Sequence, residues 1–306
     1  MKVLITGGTG FIGGEICNKL LNKGHTVVLL TRNKEKIRAD LQKTGISFVP
    51  YDYAEDSKLP LDLMGEIDGI INLAGEPIFT GRWTEEKKRR IFESRVNITR
   101  QLVECIAGLK GKKPQVLVSA SAVGYYGPRA DEELKEEDQP GNDFLAQVCI
   151  KWEETALKAT ALGVRTVILR TGIVLDMGGG ALAQMVPPFK YFVGGTIGSG
   201  KQWFSWIHRE DMTNLYVMAL EDDRLSGPVN ATSPNPVKMS EVSVAMGKVL
   251  HRPSWFPIPP FLAKIIMGES AQVVVNGQKV IPEKLLRLKF PYKYPDILKA
   301  LQDSLS

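Results

Sequence analysis

Cysteine, histidine and long apolar runs are all scarce in this chain, and each scarcity removes a class of function. Only 3 cysteines and 3 histidines occur among 306 residues. Cys17, Cys105 and Cys149 are widely spaced on helical patterns, which excludes a disulfide framework and a clustered metal site and leaves small buried hydrophobes. No apolar run reaches the ~18 residues of a membrane span. The first strand-like segment begins at Lys2, too early for a cleavable signal peptide, so a cytoplasmic protein without a membrane partner is expected. The net charge is +5, and the basic residues are dispersed. Their densest run, Lys87-Lys88-Arg89-Arg90, follows Thr84-Glu85-Glu86, which reads as an N-cap with acids in the first helical turn. A solvated helix face accounts for that run, with one residue free to reach a cofactor phosphate; nucleic acid is not an expected partner.

What is present is an ordinary globular composition, 43% hydrophobic and 24% charged, opening on a glycine-rich turn. Lys2-Val3-Leu4-Ile5 runs into Thr6-Gly7-Gly8-Thr9-Gly10-Phe11-Ile12-Gly13. Such an arrangement of strand, turn and helix start seats a dinucleotide pyrophosphate: bare glycines let the backbone approach the phosphates, and the helix aims its first amides at them. The next strand, Thr26 to Leu30, ends in Thr31-Arg32 rather than the Asp or Glu that holds a ribose 2′-hydroxyl. A guanidinium suits a 2′-phosphate and an acid repels it, so the expected cofactor is NADP(H). The other reading of Arg32 is a solvated charge after a strand. Gly195 to Lys201 spells the start of a triphosphate loop, but Gln202 follows where Mg²⁺ binding needs Ser or Thr.

Further strand-like segments lie at Phe48 to Asp52, Asp68 to Gly75, Val116 to Ser119 and Arg165 to Arg170, with helical stretches at Thr84 to Leu109 and Asp143 to Leu162. Their alternation predicts an α/β fold, a Rossmann-type doubly wound parallel sheet with ligands at the carboxyl ends of the strands. From about Leu175 the chain turns rich in glycine, proline and aromatics, which predicts pocket-lining loops on a smaller C-terminal substrate lobe. The expected division is a dinucleotide domain over 1–175 with a returning segment at about 208–250, and a lobe built from 176–207 and 251–306.

Taken in order, the Thr6 to Gly13 turn, Asn72-Leu73-Ala74-Gly75-Glu76, Ser94-Arg95, Ser119-Ala120-Ser121 leading to Tyr125-Tyr126-Gly127, Lys151-Trp152-Glu153, Gly178 to Gly180, Phe204 to Asp211, and Gly277-Gln278-Lys279-Val280 carry a resemblance. The chain resembles the extended short-chain dehydrogenase/reductases (the NAD-dependent epimerase/dehydratase family), and within them a sugar nucleotide epimerase-like subgroup with a distinct C-terminal domain. That resemblance implies that Gly7, Gly10, Phe11 and Ile12 hold the pyrophosphate, with Thr9 and Gly13 in the same turn. It implies Thr31 and Arg32 at the adenosine ribose phosphate, and Leu73, Ala74 and Gly75 at the cofactor's centre. Arg95, Ser119 and Val174 match further cofactor contacts, Val174 near the nicotinamide. Relatives often pair through two long helices, so a homodimer is a further expectation.

The family's usual chemistry needs a serine on the substrate oxygen, a tyrosine that passes the proton and a lysine four residues later. Ser121 matches the serine. Counting back from Glu153, the tyrosine position holds Leu145 and the lysine position Cys149. Leu145 has no proton to give, and Cys149 cannot hold a positive charge beside the ribose. Substitute groups are Tyr125, Tyr126, Glu76 and His208, with Arg209 and Lys201 available to an anionic substrate; each also reads as packing or surface charge. Two functions stay open: an NADP(H)-dependent oxidoreductase or epimerase acting on an undefined small or nucleotide-linked substrate, and a non-catalytic NADP(H)-binding regulator.

Overall fold

The structure, a computed structural model, describes residues 1–32, 41, 45–52, 59–79, 81–259, 261 and 268–306. Seven strands form the central sheet: β1 (Lys2–Thr6), β2 (Thr26–Thr31), β3 (Ile46–Pro50), β4 (Gly69–Asn72), β5 (Val116–Ala122), β6 (Arg165–Thr171) and β7 (Gly227–Ala231). All pair in parallel, in the order β7-β6-β5-β4-β1-β2-β3. The order reverses between β1 and β4, which opens a crevice at their carboxyl ends. This is the doubly wound sheet that the alternating pattern predicts.

Period-two burial explains how both faces are covered. Val3, Ile5, Val118 and Val167 face one way, onto Ile16 and Leu20 of α1 (Gly13–Asn22) and Met212, Leu215 and Tyr216 of α6 (Arg209–Glu221). Leu4, Ile70, Leu117 and Ile168 face the other way, onto Ile98, Leu102 and Ile106 of α3 (Glu85–Gly108). Each such fully buried side chain contributes roughly 1.5–3 kcal/mol of transfer free energy. Thr84 caps α3 by accepting the Lys87 amide, and Asp143 caps α4 (Phe144–Leu157) by accepting the Ala146 amide.

The lobe differs from its sequence reading in two ways. Residues 180–190 form a helix, α5 (Gly180–Lys190), despite Pro187 and Pro188. Its Ala181, Leu182, Met185, Val186 and Phe189 make one buried stripe, so packing overrides the poor propensity of the prolines. Second, α7 (Met239–Leu250) does not return to the sheet: Met239, Val242, Ala245 and Met246 join the lobe core with α5 and with Ala300 and Leu301 of α8 (Ile297–Leu305). In exchange, Leu285 and Phe290 of the C-terminal part pack on the sheet's own core. The two units therefore share chain more thoroughly than the expected boundaries allow.

His208 shows what joins them. It ends the strand Trp206–His208 and caps α6, its Nδ1 accepting the Glu210 amide at 3.2 Å. The ring is buried, and burial holds its pKa below the usual 6.5 against the pull of Asp303. Its Nε2 faces Asp303 of α8 at 3.1 Å without hydrogen-bond geometry. The catalytic use considered for this histidine gives way to a capping role. A capping Nδ1 must be unprotonated, so the neutral ring is the stable folded form. The stability it confers is present above pH 6.5 and is lost as the pH falls below that value, where the unfolded chain takes up the proton. In urea denaturation at a series of pH values, His208→Asn, which keeps an N-cap oxygen, is expected to fold and to show a smaller loss of stability between about pH 7 and 5.

Candidate functional site

The β1–α1 turn is shaped by contacts that only glycine permits. Gly7 adopts a φ of +67°, and a Cβ there would stand 2.9 Å from the Leu73 carbonyl. A Cβ on Gly13 would stand 2.5 Å from the Gly7 oxygen and 2.6 Å from the Gly8 Cα. The turn closes with the Gly10 amide on the Gly7 carbonyl at 3.0 Å, leaving Gly10 exposed at the mouth of α1. Ile12, the N-cap of α1, brings no side-chain oxygen to the first amides. A bare, exposed backbone at a helix start is what a pyrophosphate requires.

Beneath the turn a buried polar ladder ties three strand ends together. Thr6 Oγ1 donates to Asn72 Oδ1 at 2.7 Å, and Asn72 Nδ2 donates to Thr99 Oγ1 at 2.8 Å and Ser119 Oγ at 3.3 Å. The amides of Leu73 and Ala74 both donate to Thr6 Oγ1 at 3.1 Å. Ser119, expected against the cofactor, is fully buried in this ladder and serves as support underneath. Gly13 is likewise buried, as helix packing. Thr9, Phe11, Ile12 and Leu73 are partly exposed along the crevice, Gly75 and Arg32 are exposed, and Thr31 and Ala74 are buried at the strand ends.

Charge enters from α3. The Arg95 guanidinium lies under Gly75, where a Cβ would meet its Cζ at 3.0 Å, and over the Trp152 ring at 5.3 Å. Its Nη1 donates to the Ile91 carbonyl at 2.9 Å. Burial pulls its pKa down while the guanidinium stays fully charged. Next to Gly75, Glu76 Oε1 meets Lys87 Nζ at 2.6 Å, and its amide donates to Ser94 Oγ at 2.9 Å. That ammonium, with smaller pulls from Arg90 and Arg32, holds the Glu76 carboxyl below the usual carboxylate range despite burial. Lys87 is thus the member of the basic run that turns inward, to a carboxylate.

At the positions that the resemblance assigns to the tyrosine and lysine, α4 carries Leu145 and Cys149. Leu145 packs with Trp83 and Val148, and Cys149 is buried. Burial, reinforced by Glu153, pushes the Cys149 thiol up to about 12. Ser121 is 3% exposed and spends its proton on Glu153 Oε1 at 2.6 Å. Glu153 in turn holds Arg170 through two bonds, from Nε at 3.0 Å and Nη2 at 2.9 Å. Arg170 also donates to the Tyr126 hydroxyl at 2.9 Å and stacks its guanidinium on Tyr125, 3.5 Å from the ring centre. Burial pushes the Tyr126 phenol up to about 12 and raises that of Tyr125. Tyr126 is a buried strut; neither phenol is tuned to release a proton near neutral pH.

Of the remaining candidates, Arg209 is accounted for by the loop after residues 173–175. Arg209 pairs with Asp176 at 2.9 Å, and Asp176 also accepts the Gly178 amide at 2.6 Å. The pair fastens Gly178 to Gly180 over Phe11, whose ring would lie 3.2–3.9 Å from Cβ atoms added there. Val174 is buried at the same edge, while Lys201 is exposed on the lobe. The glycine loop therefore roofs the phosphate turn, a contact that sequence spacing could not supply. Among the described residues no His/Cys/Asp/Glu group could hold a metal, and no helix is long and apolar enough to cross a membrane.

The chain matches known proteins in sequence and fold. A model of the NAD dependent epimerase/dehydratase family matches residues 3–231. The chain belongs to that family. A domain of unknown function, DUF1731, matches residues 258–304. The Arabidopsis thaliana epimerase family protein SDR39U1 homolog, chloroplastic, is 44% identical over 99% of this chain and 86% of its own length. The Bacillus subtilis epimerase family protein YfhF is 39% identical over 98% of this chain and 97% of its own. Among solved structures, human epimerase family protein SDR39U1 (isoform 2) with NADPH superimposes with a TM-score of 0.86 at 32% identity, covering 99% of both chains.

Family membership sharpens the significance of the α4 side chains, since a buried ion pair is costly to break on one side only. Arg170→Met leaves the Glu153 charge buried and unpaired, and is expected to destabilise the fold by about 3–5 kcal/mol. Chemical denaturation measures this. The double variant Arg170→Met/Glu153→Leu is expected to recover part of the loss.

Proposed function

We propose that this epimerase-family protein binds NADP(H) and holds it without the tyrosine–lysine proton relay, so that cofactor binding is its primary activity. The observation carrying this reading is the pairing of a glycine-floored crevice with Leu145 and Cys149 at the relay positions. Backbone amides of the Gly7 to Gly13 turn fit the pyrophosphate, and Arg32 at the end of β2 fits a 2′-phosphate. Arg95 brings a fixed cation to the crevice beside Gly75, from α3 instead of α4. NADPH bound by the human relative supports the choice of cofactor. Bound cofactor would supply a hydride. The chain's own groups would orient it and exclude water, while Ser121 could offer only lone pairs because its proton is committed to Glu153.

A second reading, an oxidoreductase or epimerase with an unconventional proton acceptor, draws on Glu76. Its carboxylate is partly exposed beside Gly75 and is kept ionised by Lys87. It can take a proton from a substrate hydroxyl but has none to give to a carbonyl.

Calorimetric titration with NADPH and NADH tests the first reading. NADPH is expected to bind at least tenfold more tightly, and Arg32→Ala to remove most of the difference, as the loss of charge-assisted bonds of roughly 1.5–3 kcal/mol implies. Equal affinities would sink the assignment. Rapid NADPH oxidation with sugar nucleotides or small carbonyls, abolished by Glu76→Gln with NADPH affinity intact, would favour the second reading.

A further inference from the structure

Large aromatic side chains crowd one edge of the C-terminal lobe at high exposure. Tyr191, Phe192 and Val193 follow α5, and Trp255 and Phe256 follow α7; Trp255 is 80% and Tyr191 78% exposed. The two segments lie side by side. The Phe256 amide donates to the Gly194 carbonyl at 3.2 Å, the Ile258 amide to Thr196 at 2.8 Å, and the Gly198 amide to Ile258 at 2.9 Å. Gly195 sits so close to Phe256 that a Cβ would fall 1.8 Å from its carbonyl oxygen. Prolines bracket both segments, Pro187-Pro188 before the first and Pro253 and Pro257 in the second. Phe192 is held at a φ of +64°, a backbone conformation that bulky residues avoid. The exposed rings thus stand on a braced edge.

The two segments themselves carry charge of one sign. Neither 177–209 nor 242–268 contains an Asp or Glu, although 34 acidic residues occur in the chain. Lys190 adjoins Tyr191, Lys248 lies in the last turn of α7, and Arg252 stacks on Phe192 at 4.6 Å from the ring centre. Among the described residues none of these three cations meets a carboxylate, whereas Lys2, Lys23, Lys87 and Arg100 in the sheet domain each pair with a glutamate. Two copies of this face would set cation against cation, which disfavours self-association.

We infer that this edge docks on an anionic lipid surface, with Trp255, Phe256, Tyr191 and Phe192 entering the headgroup boundary and Lys190, Lys248 and Arg252 facing the phosphates. Aromatic rings with a polar edge or a flat apolar face settle at that boundary, and nearby lysine and arginine add attraction to acidic headgroups. Docking needs no spanning helix, so the short apolar runs of the sequence exclude only a membrane crossing. The proposed docking departs here from the expectation of no membrane partner.

The test is cosedimentation of the full chain with vesicles of phosphatidylcholine alone and of phosphatidylcholine mixed about three to one with phosphatidylglycerol, at low and high salt. Binding to the anionic vesicles, weakened by salt, is expected. Trp255→Ser/Phe256→Ser and Lys190→Glu/Arg252→Glu should each reduce it about tenfold or more, with melting temperature and NADPH affinity unchanged. No binding to anionic vesicles at low salt, equal binding to neutral ones, or binding untouched by both variants would overturn the inference. So would a concentration-dependent dimer in sedimentation velocity that the Trp255→Ser/Phe256→Ser variant dissolves, since the rings would then belong to a second copy.

Discussion

Thr6 Oγ1 takes the amides of both Leu73 and Ala74 while donating to Asn72, and this one hydroxyl fixes where the β1–α1 turn meets the end of β4. Everything at the crevice is referenced to it. Gly7 can lie against the Leu73 carbonyl only because neither residue puts a side chain between them, and Gly13 then brings α1 onto Gly8. Asn72 passes the constraint outward to Thr99 on α3 and Ser119 on β5. A buried network in which each member is satisfied is rigid as well as stable, because any displaced group loses a partner it cannot replace from water. The floor of the crevice is thereby set before any ligand arrives.

The second buried network, around Arg170, separates holding a cofactor from passing protons. Glu153 accepts from Arg170 and from Ser121, and the Arg170 guanidinium rests on Tyr125 and Tyr126. Ser121, Glu153 and Arg170 are thus committed to one another, and the Tyr125 and Tyr126 phenols and the Cys149 thiol are pushed away from neutral titration. Cys149 follows from the same logic: an apolar, raised-pKa thiol fits in this buried position, where a further cation would face the guanidinium of Arg95. The cation near the crevice enters instead on α3, as Arg95.

Much of this was legible in the sequence because it rests on local patterns. The glycine turn, the alternation of strands and helices and the cap at Thr84 are properties of short segments, and they emerge from periodicity and spacing. That Leu145 and Cys149 lie on one helix was also readable, since it depends only on counting along α4. What escaped depends on contacts between distant segments. Ser119 looks like a crevice residue until Asn72 claims it, His208 like a catalytic base until Glu210 and α8 surround it. The helix α5 was hidden by its own prolines, whose cost is outweighed by a buried stripe visible only once α7 and α8 are in place. The roof that Gly178 to Gly180 make over Phe11 likewise requires Asp176 and Arg209 to meet.

The roof also joins the two units energetically. Asp176 follows the strand Ile173–Leu175, Arg209 begins α6, and the strand Trp206–His208 lies parallel between them. Phe11 lies under the loop that follows the first strand of the pair whose second strand carries His208, and His208 and Asp211 adjoin the C-terminal segment, where Asp211 accepts the amides of Lys293 and Tyr294 at 2.7 and 3.0 Å. Since Leu285 and Phe290 are buried in the sheet's own core, that segment cannot shift independently of the sheet. Any free energy gained by ordering the crevice is thus shared with the lobe. The Asp176–Arg209 pair and the strand pair beside it thus give a physical route by which ordering of the crevice reaches the lobe.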